Sequence, residues 1–179
     1  MREYFIIGER LGLSPVLPED ERFVYDLWRD PVVQRNLSFR APDESFDDWL
    51  RAEAERPSWL RCATLSITDE TFVGFLSLGV AASDPELIVL LRPGWRGRGY
   101  GSEAARLIVD YGFRCMGLGK IGGGAFELNL ASQRMLEKVG FVRRPETDGR
   151  YQNAWGPGEV VELDYVLSRD RWEILRKAG

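Results

Sequence analysis

The sequence predicts an α/β (α+β) domain built on a mixed β-sheet. Stretches with the alternating pattern of a strand and stretches with apolar residues at helical spacing follow one another along the chain. After an N-terminal strand and two helices, the predicted order is two strands, then strand, loop and helix, then strand and helix, then two strands, which is typical of a mixed sheet covered by helices. No internal repeat, low-complexity tract or linker divides the 179 residues, so we predict a single domain over 1–179.

The N-terminal third of the chain predicts one strand and two helices. Leu11 and Leu13, followed by a turn signal at Pro15, indicate the strand. A helix is predicted over 18–28 and a second over 42–55, because apolar residues recur there three and four positions apart. Acidic residues in the first turn of the second helix favour its dipole.

The centre of the chain predicts a hairpin, a third strand and a long helix. The hairpin comprises strands over 59–68 and 71–82 on either side of an acidic turn. A strand rich in Ile, Val and Leu follows over 86–92. The helix over 102–116 ends at glycines, which commonly close helices.

The C-terminal part predicts three strands and one helix. Strands are expected over 120–128, 140–144 and 159–168, and a helix over 130–138. Three consecutive glycines weaken the first of these strands, and they indicate either close approach of a ligand or local flexibility. We expect an exposed edge on the last strand, which would allow a homodimer.

The composition excludes several kinds of chemistry. The chain has no histidine, which rules out Ser-His-Asp and Cys-His triads and imidazole ligands for zinc. Its only cysteines, Cys62 and Cys115, cannot form a four-cysteine site, so no metal is predicted. Two lone thiols are typical of a reducing compartment, and we predict a cytoplasmic protein.

Charge and hydropathy narrow the class of partner. The formal net charge is −4, without the basic excess that is typical of nucleic-acid binders. The longest apolar stretches, such as 87–91, are far shorter than the roughly 18 residues needed to span a bilayer. We therefore expect neither nucleic acid nor a membrane as partner.

One glycine-rich segment carries the clearest functional signal. Arg96-Gly97-Arg98-Gly99-Tyr100-Gly101 lies between a predicted strand and the helix that starts at Ser102. The glycines let backbone amides crowd towards a ligand, and the helix N-terminus and the two arginines favour an anion such as phosphate. The spacing fits neither a P-loop, which needs Lys-Ser or Lys-Thr after its second glycine, nor a dinucleotide fingerprint. A glycine-rich turn with incidental arginines is the alternative.

The order Arg-x-x-Gly-x-Gly in this segment resembles the GCN5-related N-acetyltransferases (GNAT). A second segment, Asn129 to Phe141, resembles the superfamily's Asn-x-x-Ser-x-x-x-Leu-x-Lys-x-Gly-Phe helix at the expected distance. Towards the chain ends, Glu9-Arg10-Leu11 and Tyr165-Val166-Leu167 resemble the ribosomal-protein N-acetyltransferase (RimJ/RimL-type) branch. The resemblance extends over essentially the whole chain.

The resemblance implies the GNAT fold, with about seven mostly antiparallel strands, about four flanking helices and a splay between the central strands. It also implies acetyl-coenzyme A (acetyl-CoA) as co-substrate. The glycine-rich loop would wrap the pyrophosphate, and the strand before the loop would bond the pantetheine arm. The residues implied in coenzyme binding are Leu90, Leu91, Arg96, Gly97, Arg98, Gly99, Tyr100, Gly101, Ser102, Asn129 and Arg134.

The resemblance implies Glu86 and Ser132 as catalytic residues. GNAT enzymes often place on this strand a carboxylate that deprotonates the amine through water; a solvated acid at a strand end is the alternative for Glu86. Many GNAT enzymes carry a tyrosine on the second motif's helix, where this chain has Leu136. Ser132 is then the polar group near the sulfur, unless it is an ordinary serine of a helix N-terminus. Asn129 would likewise serve as a helix cap, a coenzyme contact, or both.

The expected reaction is acetyl transfer to a primary amine by direct attack in a ternary complex. The amine is either a protein N-terminal α-amine or a small-molecule amine; an α-amine, with a pKa of about 7.7–8, needs less help from a base than a lysine amine near 10.4. Residues in the loops that shape the acceptor pocket are Phe39, Arg40, Tyr151 and Trp155, although packing of surface loops would explain them too. The alternative function is a non-catalytic module with a GNAT fold that binds or senses acyl-CoA.

Overall fold

The computed structural model describes residues 2–37, 43–55, 59–79, 85–154 and 156–178. Nine strands and six α-helices lie in these ranges. The strands are β1 (Ile6–Ile7), β2 (Leu11–Pro15), β3 (Trp59–Ser66), β4 (Phe72–Gly79), β5 (Leu87–Leu91), β6 (Lys120–Phe126), β7 (Val142–Arg143), β8 (Gly149–Gln152) and β9 (Glu159–Ser168). The helices are α1 (Glu21–Trp28), α2 (Pro31–Gln34), α3 (Phe46–Ala54), α4 (Tyr100–Arg114), α5 (Leu130–Val139) and α6 (Arg169–Ala178).

The strands form two antiparallel sheets that meet at one point. The first sheet has the order β1-β2-β3-β4-β5, and in the second β9 pairs with β6 on one side and with β7 and β8 on the other. In the described chain a parallel bridge between Glu86 and Gly122 joins the sheets, and the Gly122 amide donates to the carbonyl of Pro85 at 2.8 Å. Beyond the bridge β5 and β6 belong to separate sheets, which confirms the predicted splay.

Two hydrophobic cores hold the sheets and helices together. In the larger core, α4 contributes Ala104, Ile108 and Phe113, all completely buried against residues of both sheets. A second core contains Val24 of α1 and Trp49 of α3, packed against the first sheet. Because the buried face of α4 is anchored in this way, its N-terminus is held beside the end of β5, at the mouth of the splay.

The structure differs from the sequence-based prediction mainly in its short elements. β1, α2 and β8 are two to four residues long and show no readable period, and the C-terminal helix α6 is also unpredicted. The helix predicted over 42–55 begins at Phe46, because the Ser45 hydroxyl accepts a hydrogen bond from the Asp48 amide and caps it. In the part of the chain that the structure describes, no helix is long and apolar enough to cross a membrane.

The last strand does not have the exposed edge that the sequence analysis expects. β9 pairs with β6 along 162–168 and, on its other side, with β8 along 159–162 and β7 at 165–166. Its backbone is therefore engaged on both sides over most of its length. The argument for a homodimer through this strand is wrong, and the homodimer itself stays a prediction.

The two cysteines have opposite environments, and this predicts their reactivity. Cys62 on β3 is fully buried, and burial raises the pKa of its thiol to about 12, whereas Cys115 after α4 is exposed; both are free. Because the thiolate is the reactive form, an aromatic disulfide reagent should modify only Cys115 in the native protein and both thiols after unfolding. The Cys115→Ser variant should be unreactive when native. Rapid modification of that variant would contradict the burial of Cys62.

Candidate active site

A cleft of about 810 Å³ opens where β5 and β6 separate. β5 forms one wall, and the glycine-rich loop with the first turn of α4 forms one end. The start of α5 lines the cleft as well. At the opposite end β6, β8 and β9 contribute Gly124, Tyr151 and Glu162, near the Glu86 end of β5.

The glycine-rich loop presents backbone amides to the first end of the cleft. Gly97 and Gly99 have φ of +72° and +84°, left-handed values that glycine adopts without steric cost. Gly99 is the N-cap of α4, and no side chain in the described residues caps this terminus. Gly101 and Ser102 line the cleft in the first turn. Free amides and the positive end of the helix dipole together make an anion site.

Arg96 makes its hydrogen bonds to other groups of the protein. Its Nε donates to the carbonyl of Leu91 and its Nη2 to Oδ1 of Asp30, both at 2.8 Å. Asp30 also accepts from the amides of Val32 and Val33 and thereby caps α2. Although burial opposes its charge, the hydrogen bonds from Arg96 and these amides lower the pKa of Asp30. Arg96 lines the cleft and fastens the loop to α2, while its contact with a ligand stays a prediction.

Arg98 and Tyr100 lie beside the cleft rather than in its lining. The Arg10 guanidinium stacks 4.2 Å from the centre of the Tyr100 ring, and the Arg98 guanidinium lies 5.4 Å from it. Arg10 is oriented by Glu103, whose Oε2 accepts from Arg10 Nε at 2.7 Å. Arg98, in contrast, is exposed and has no acidic partner among the described residues, so its guanidinium adds positive charge near the start of α4.

The register of β5 decides which backbone groups face the cleft. Just beyond the two ends of the strand, the Glu86 carbonyl accepts from the amide of Gly79 and the Arg92 amide donates to the carbonyl of Val73, both on β4. In an antiparallel pair such bonds involve every second residue, so the N–H and C=O of Leu90 also point to β4. Val89 and Leu91 direct their backbone groups towards the splay. The sequence analysis places the pantetheine contacts at Leu90 and Leu91, and the register favours Val89 in place of Leu90.

Gly124 is the corresponding position on β6. The amides of Glu127 and Arg169 bond to the carbonyls of Val161 and Gly119, so the odd-numbered residues of β6 face β9. The N–H and C=O of Gly124 therefore face the splay. Polar backbone edges on both walls are suited to an extended ligand that carries amides.

The start of α5 brings three of the predicted residues to the cleft. The Asn129 side chain accepts from the Ser132 amide at 3.2 Å and caps the helix, which is its structural role. Ser132 is half-buried, and within the described chain its hydroxyl has no hydrogen-bond partner. Arg134 and Lys138 are exposed and line the cleft as cations. Leu136 is buried in the larger core.

Two carboxylates lie at the far end of the cleft. Glu86 keeps contact with solvent, but the cleft walls partly desolvate its carboxylate. This desolvation, together with the negative charge of Asp164, raises the pKa of Glu86. Burial and the charge of Glu86 raise the pKa of Glu162, while a hydrogen bond from the Tyr151 hydroxyl opposes that shift. The charge of Glu162, followed by burial, raises the pKa of Tyr151. Asp164 is paired with Arg144 at 2.7 Å.

The predicted acceptor residues are only partly within the described chain. Tyr151 lines the cleft with 41% of its surface exposed. Phe39, Arg40 and Trp155 lie outside the described residues.

Comparisons with known proteins agree with this geometry. The sequence profile of the Acetyltransferase (GNAT) domain family matches residues 10–142. The chain belongs to this family. GNAT acetyltransferases use acetyl-CoA, the family is enzymatic, and the protein is accordingly an N-acetyltransferase. This confirms the predicted fold and enzyme class.

Several GNAT relatives extend over most of the chain. FsC-acetyl coenzyme A-N(2)-transacetylase of Aspergillus fumigatus is 27% identical over 94% of this chain and 77% of its own length. Spermidine N(1)-acetyltransferase of Escherichia coli K12 is 26% identical over 79% of this chain and 81% of its own. The crystal structure of spermidine N-acetyltransferase from Vibrio cholerae in complex with CoA and spermine shares the fold, with a TM-score of 0.78, 18% identity, and coverage of 93% and 99%. The RimJ/RimL branch is not confirmed by these relatives.

The GNAT cleft contains functional positions that the sequence analysis misses. Val89 faces the cleft through its backbone, which no residue-type motif reveals. Gly124 belongs to the three consecutive glycines for which the sequence predicts close approach of a ligand or local flexibility, and its place in the cleft lining is consistent with the first of these. Glu162 had a readable signal, because it alternates on the last strand with the buried Leu163 and Tyr165. An acid at such a position faces away from the core, and the structure shows that it faces the cleft.

Proposed function

We propose that this GNAT enzyme transfers an acetyl group from acetyl-CoA to a primary amine of a small cationic molecule, by direct attack in a ternary complex. The charge distribution along the cleft carries the proposal. One end has the free amides of α4, with Arg98 beside it and Arg134 and Lys138 in the lining. The other end has Glu86 and Glu162. Such a cleft favours an anionic co-substrate at one end and a protonated amine at the other.

The residues of the first end and of the walls fit acetyl-CoA. The amides of the first turn of α4 would hold the pyrophosphate. The backbone groups of Val89 and Gly124 and the amide of Leu91 would bond the amide-bearing arm, since the Leu91 carbonyl already accepts from Arg96. When bound, acetyl-CoA supplies an activated carbonyl carbon and a thiolate leaving group.

Glu86 would take up the proton that the amine must lose. The acceptor arrives as an ammonium ion, and a carboxylate with a raised pKa is better matched to accept its proton, directly or through water, near neutral pH. The neutral amine then forms a C–N bond to the acetyl carbon and the C–S bond breaks. The nitrogen gives up a second proton as the amide forms, and the leaving sulfur takes one, so that the products are the amide and the coenzyme A thiol. Ser132, half-buried with no partner for its hydroxyl among the described residues, is our candidate donor to the sulfur.

The relatives support a small amine as acceptor. Two of them are named spermidine N-acetyltransferases, and one was solved with spermine. A protein N-terminal α-amine is the second candidate, because it is the acceptor implied by the resemblance to the RimJ/RimL branch. The non-catalytic module is not favoured, because the named relatives are enzymes. We infer a cytoplasmic location, which the two free thiols support.

The proposed function is tested by coenzyme binding and by turnover. We expect acetyl-CoA to raise the melting temperature by several degrees, because it binds only the folded state. Release of coenzyme A thiol should then depend on an added amine, measured in a Cys115→Ser background to remove the exposed protein thiol. The panel contains spermidine, butylamine, a free amino acid and a short peptide with a free N-terminus.

The outcomes separate the candidates. Thiol release with the cationic small amines supports the proposal, and release with the peptide alone favours the α-amine. Stabilisation by acetyl-CoA without release on any amine would identify the non-catalytic module. Absence of stabilisation would overturn coenzyme binding itself.

A further inference from the structure

We infer that Glu162 determines acceptor specificity by binding a second ammonium group, so that the substrate class is diamines or polyamines rather than monoamines. The inference rests on the proposed function, because it concerns the acceptor of the same reaction. It depends on how the carboxylate of Glu162 is aimed into the cleft, and on the charges that surround it.

Two glycines create the place that Glu162 occupies. Gly124 lies on the neighbouring strand β6, and a Cβ added there would overlap Oε1 of Glu162 and lie 3.0 Å from its Cδ. The carboxylate therefore lies directly over a glycine that itself lines the cleft. Any side chain at this position would push Glu162 away from β6.

The second glycine, Gly149 on β8, pairs with Glu162 on the other side of β9. A Cβ added at Gly149 would lie 2.7 Å from Cε2 of Tyr151 and 2.8 Å from its hydroxyl oxygen. The Tyr151 ring thus folds back over Gly149, and its hydroxyl donates to the Glu162 carboxylate. One hydrogen bond orients the carboxylate and leaves its other lone pairs for a ligand.

The charge of Glu162 is not neutralised within the protein. Asp164, two residues away on the same face of β9, is paired with Arg144 and also accepts from the Thr147 hydroxyl. Neither Glu86 nor Glu162 has a cationic partner among the residues that the structure describes. A ligand must therefore supply the positive charge.

Two carboxylates in one cleft favour a ligand with two cationic centres. The two carboxylates lie close enough to repel one another, since the negative charge of Glu86 contributes to the raised pKa of Glu162. A monoamine neutralises one of them and gives up its charge on reaction. A second ammonium group remains charged throughout, so its contact with Glu162 holds the reacting amine in place through the transition state.

The inference is tested with amines that differ only in the second charge. The native enzyme, Glu162→Gln and Gly149→Ala are assayed by thiol release with butylamine, 1,4-diaminobutane and spermidine. Glu127→Gln is the matched control, because Glu127 is exposed and outside the cleft lining. We expect Glu162→Gln to lower kcat/KM about 10- to 100-fold for the two polycations, the size of a hydrogen bond to a charged group, and to leave butylamine unchanged.

Gly149→Ala tests the same geometry without altering an acid. It should displace Tyr151 and produce a smaller loss for the polycations. Equal losses on butylamine and on the polycations would overturn the inference, and so would no loss in Glu162→Gln.

Binding separates this inference from the proposed function. Titration calorimetry with enzyme loaded with coenzyme A reports diamine binding without turnover. If 1,4-diaminobutane binds the native enzyme more tightly than Glu162→Gln, yet no amine gives thiol release, the proposed function fails and the subsite stands. If thiol release occurs but calorimetry shows no difference between the two proteins, the subsite is wrong and the proposed function stands.

Discussion

The Glu86→Gln variant should lower kcat about 100-fold or more with every amine, because proton transfer by a positioned group contributes about 10²- to 10⁴-fold. Binding of acetyl-CoA should be unaffected, since Glu86 lies at the far end of the cleft from the anion site. The chain has no histidine, so an enzyme group that titrates near neutrality would be a shifted carboxyl or a thiol. A rising limb of the pH profile that stays fixed across amines and disappears in this variant would assign that group to Glu86.

The same variant should be more stable than the native protein at neutral pH. A carboxyl whose pKa is raised by folding adds stability while protonated and loses it as the pH rises through its folded pKa. Glutamine has no charge to desolvate, so the melting temperature should exceed that of the native protein at pH 8 and equal it near pH 4. Glu127→Gln provides the control for both measurements. Full activity in Glu86→Gln would exclude it as the base, and a lower melting temperature at pH 8 would contradict the electrostatics of the cleft.

Arg96→Ala and Arg98→Ala should have different effects, although both residues belong to one motif. Removing Arg96 leaves the half-buried Asp30 without its ion pair and frees the Leu91 carbonyl. We expect a loss of about 1.5–3 kcal/mol, the net contribution of a hydrogen bond to a charged group, and a melting temperature lower by roughly 3–8 °C. The KM for acetyl-CoA should also rise, because the loop is no longer fastened to α2. Arg98→Ala should raise this KM without changing the melting temperature, since its guanidinium is exposed.

The pH dependence of stability tests the structural role of Arg96, and the salt dependence of KM tests the ligand-binding role of Arg98. The pKa of Asp30 is lowered in the fold, so its contribution is present at neutral pH and is lost as the pH falls through its folded pKa. The stability deficit of Arg96→Ala should therefore shrink below about pH 4. The effect of Arg98→Ala on KM should shrink at high salt, because exposed charges are screened. Equal melting temperatures for the two variants at pH 7 would contradict the structural role of Arg96.

The architecture is largely readable from the sequence, because the long elements have clear periods. β9 occupies the predicted range, and α4 and α5 are within two residues of their predicted starts. The short elements β1 and β8 are determined by their pairing partners, so their own residues show no pattern. The exposed edge that the sequence predicts for β9 is wrong for the same reason, since β8 is one of the strands that cover it.

The site is less readable, because its geometry depends on contacts between distant segments. Local spacing alone predicts the glycine-rich loop between a strand and a helix. The predicted contact of Arg96 with the coenzyme stays a prediction, but its ion pair with Asp30, a residue far from it in sequence, is not visible in the motif. Helix α4, strand β6, helix α5 and strands β7 and β8 separate Glu162 from the glycine-rich loop in sequence, and only the pairing of β6, β8 and β9 brings it over Gly124. The register of β5, which turns the backbone groups of Val89 towards the splay, depends on the pairing of β5 with β4.

The narrow junction between the two sheets has a consequence for cooperativity. In the described chain, the Glu86–Gly122 bridge is the isolated backbone link between sheets that otherwise share only packed side chains. Amide hydrogens that face the splay, at Val89 and Gly124, should exchange rapidly in the free protein. A ligand that bonds to both edges would slow this exchange and couple the unfolding of one sheet to that of the other. The co-substrate would then take the place of a strand between β5 and β6, and it would strengthen the link between the sheets that the larger core already provides.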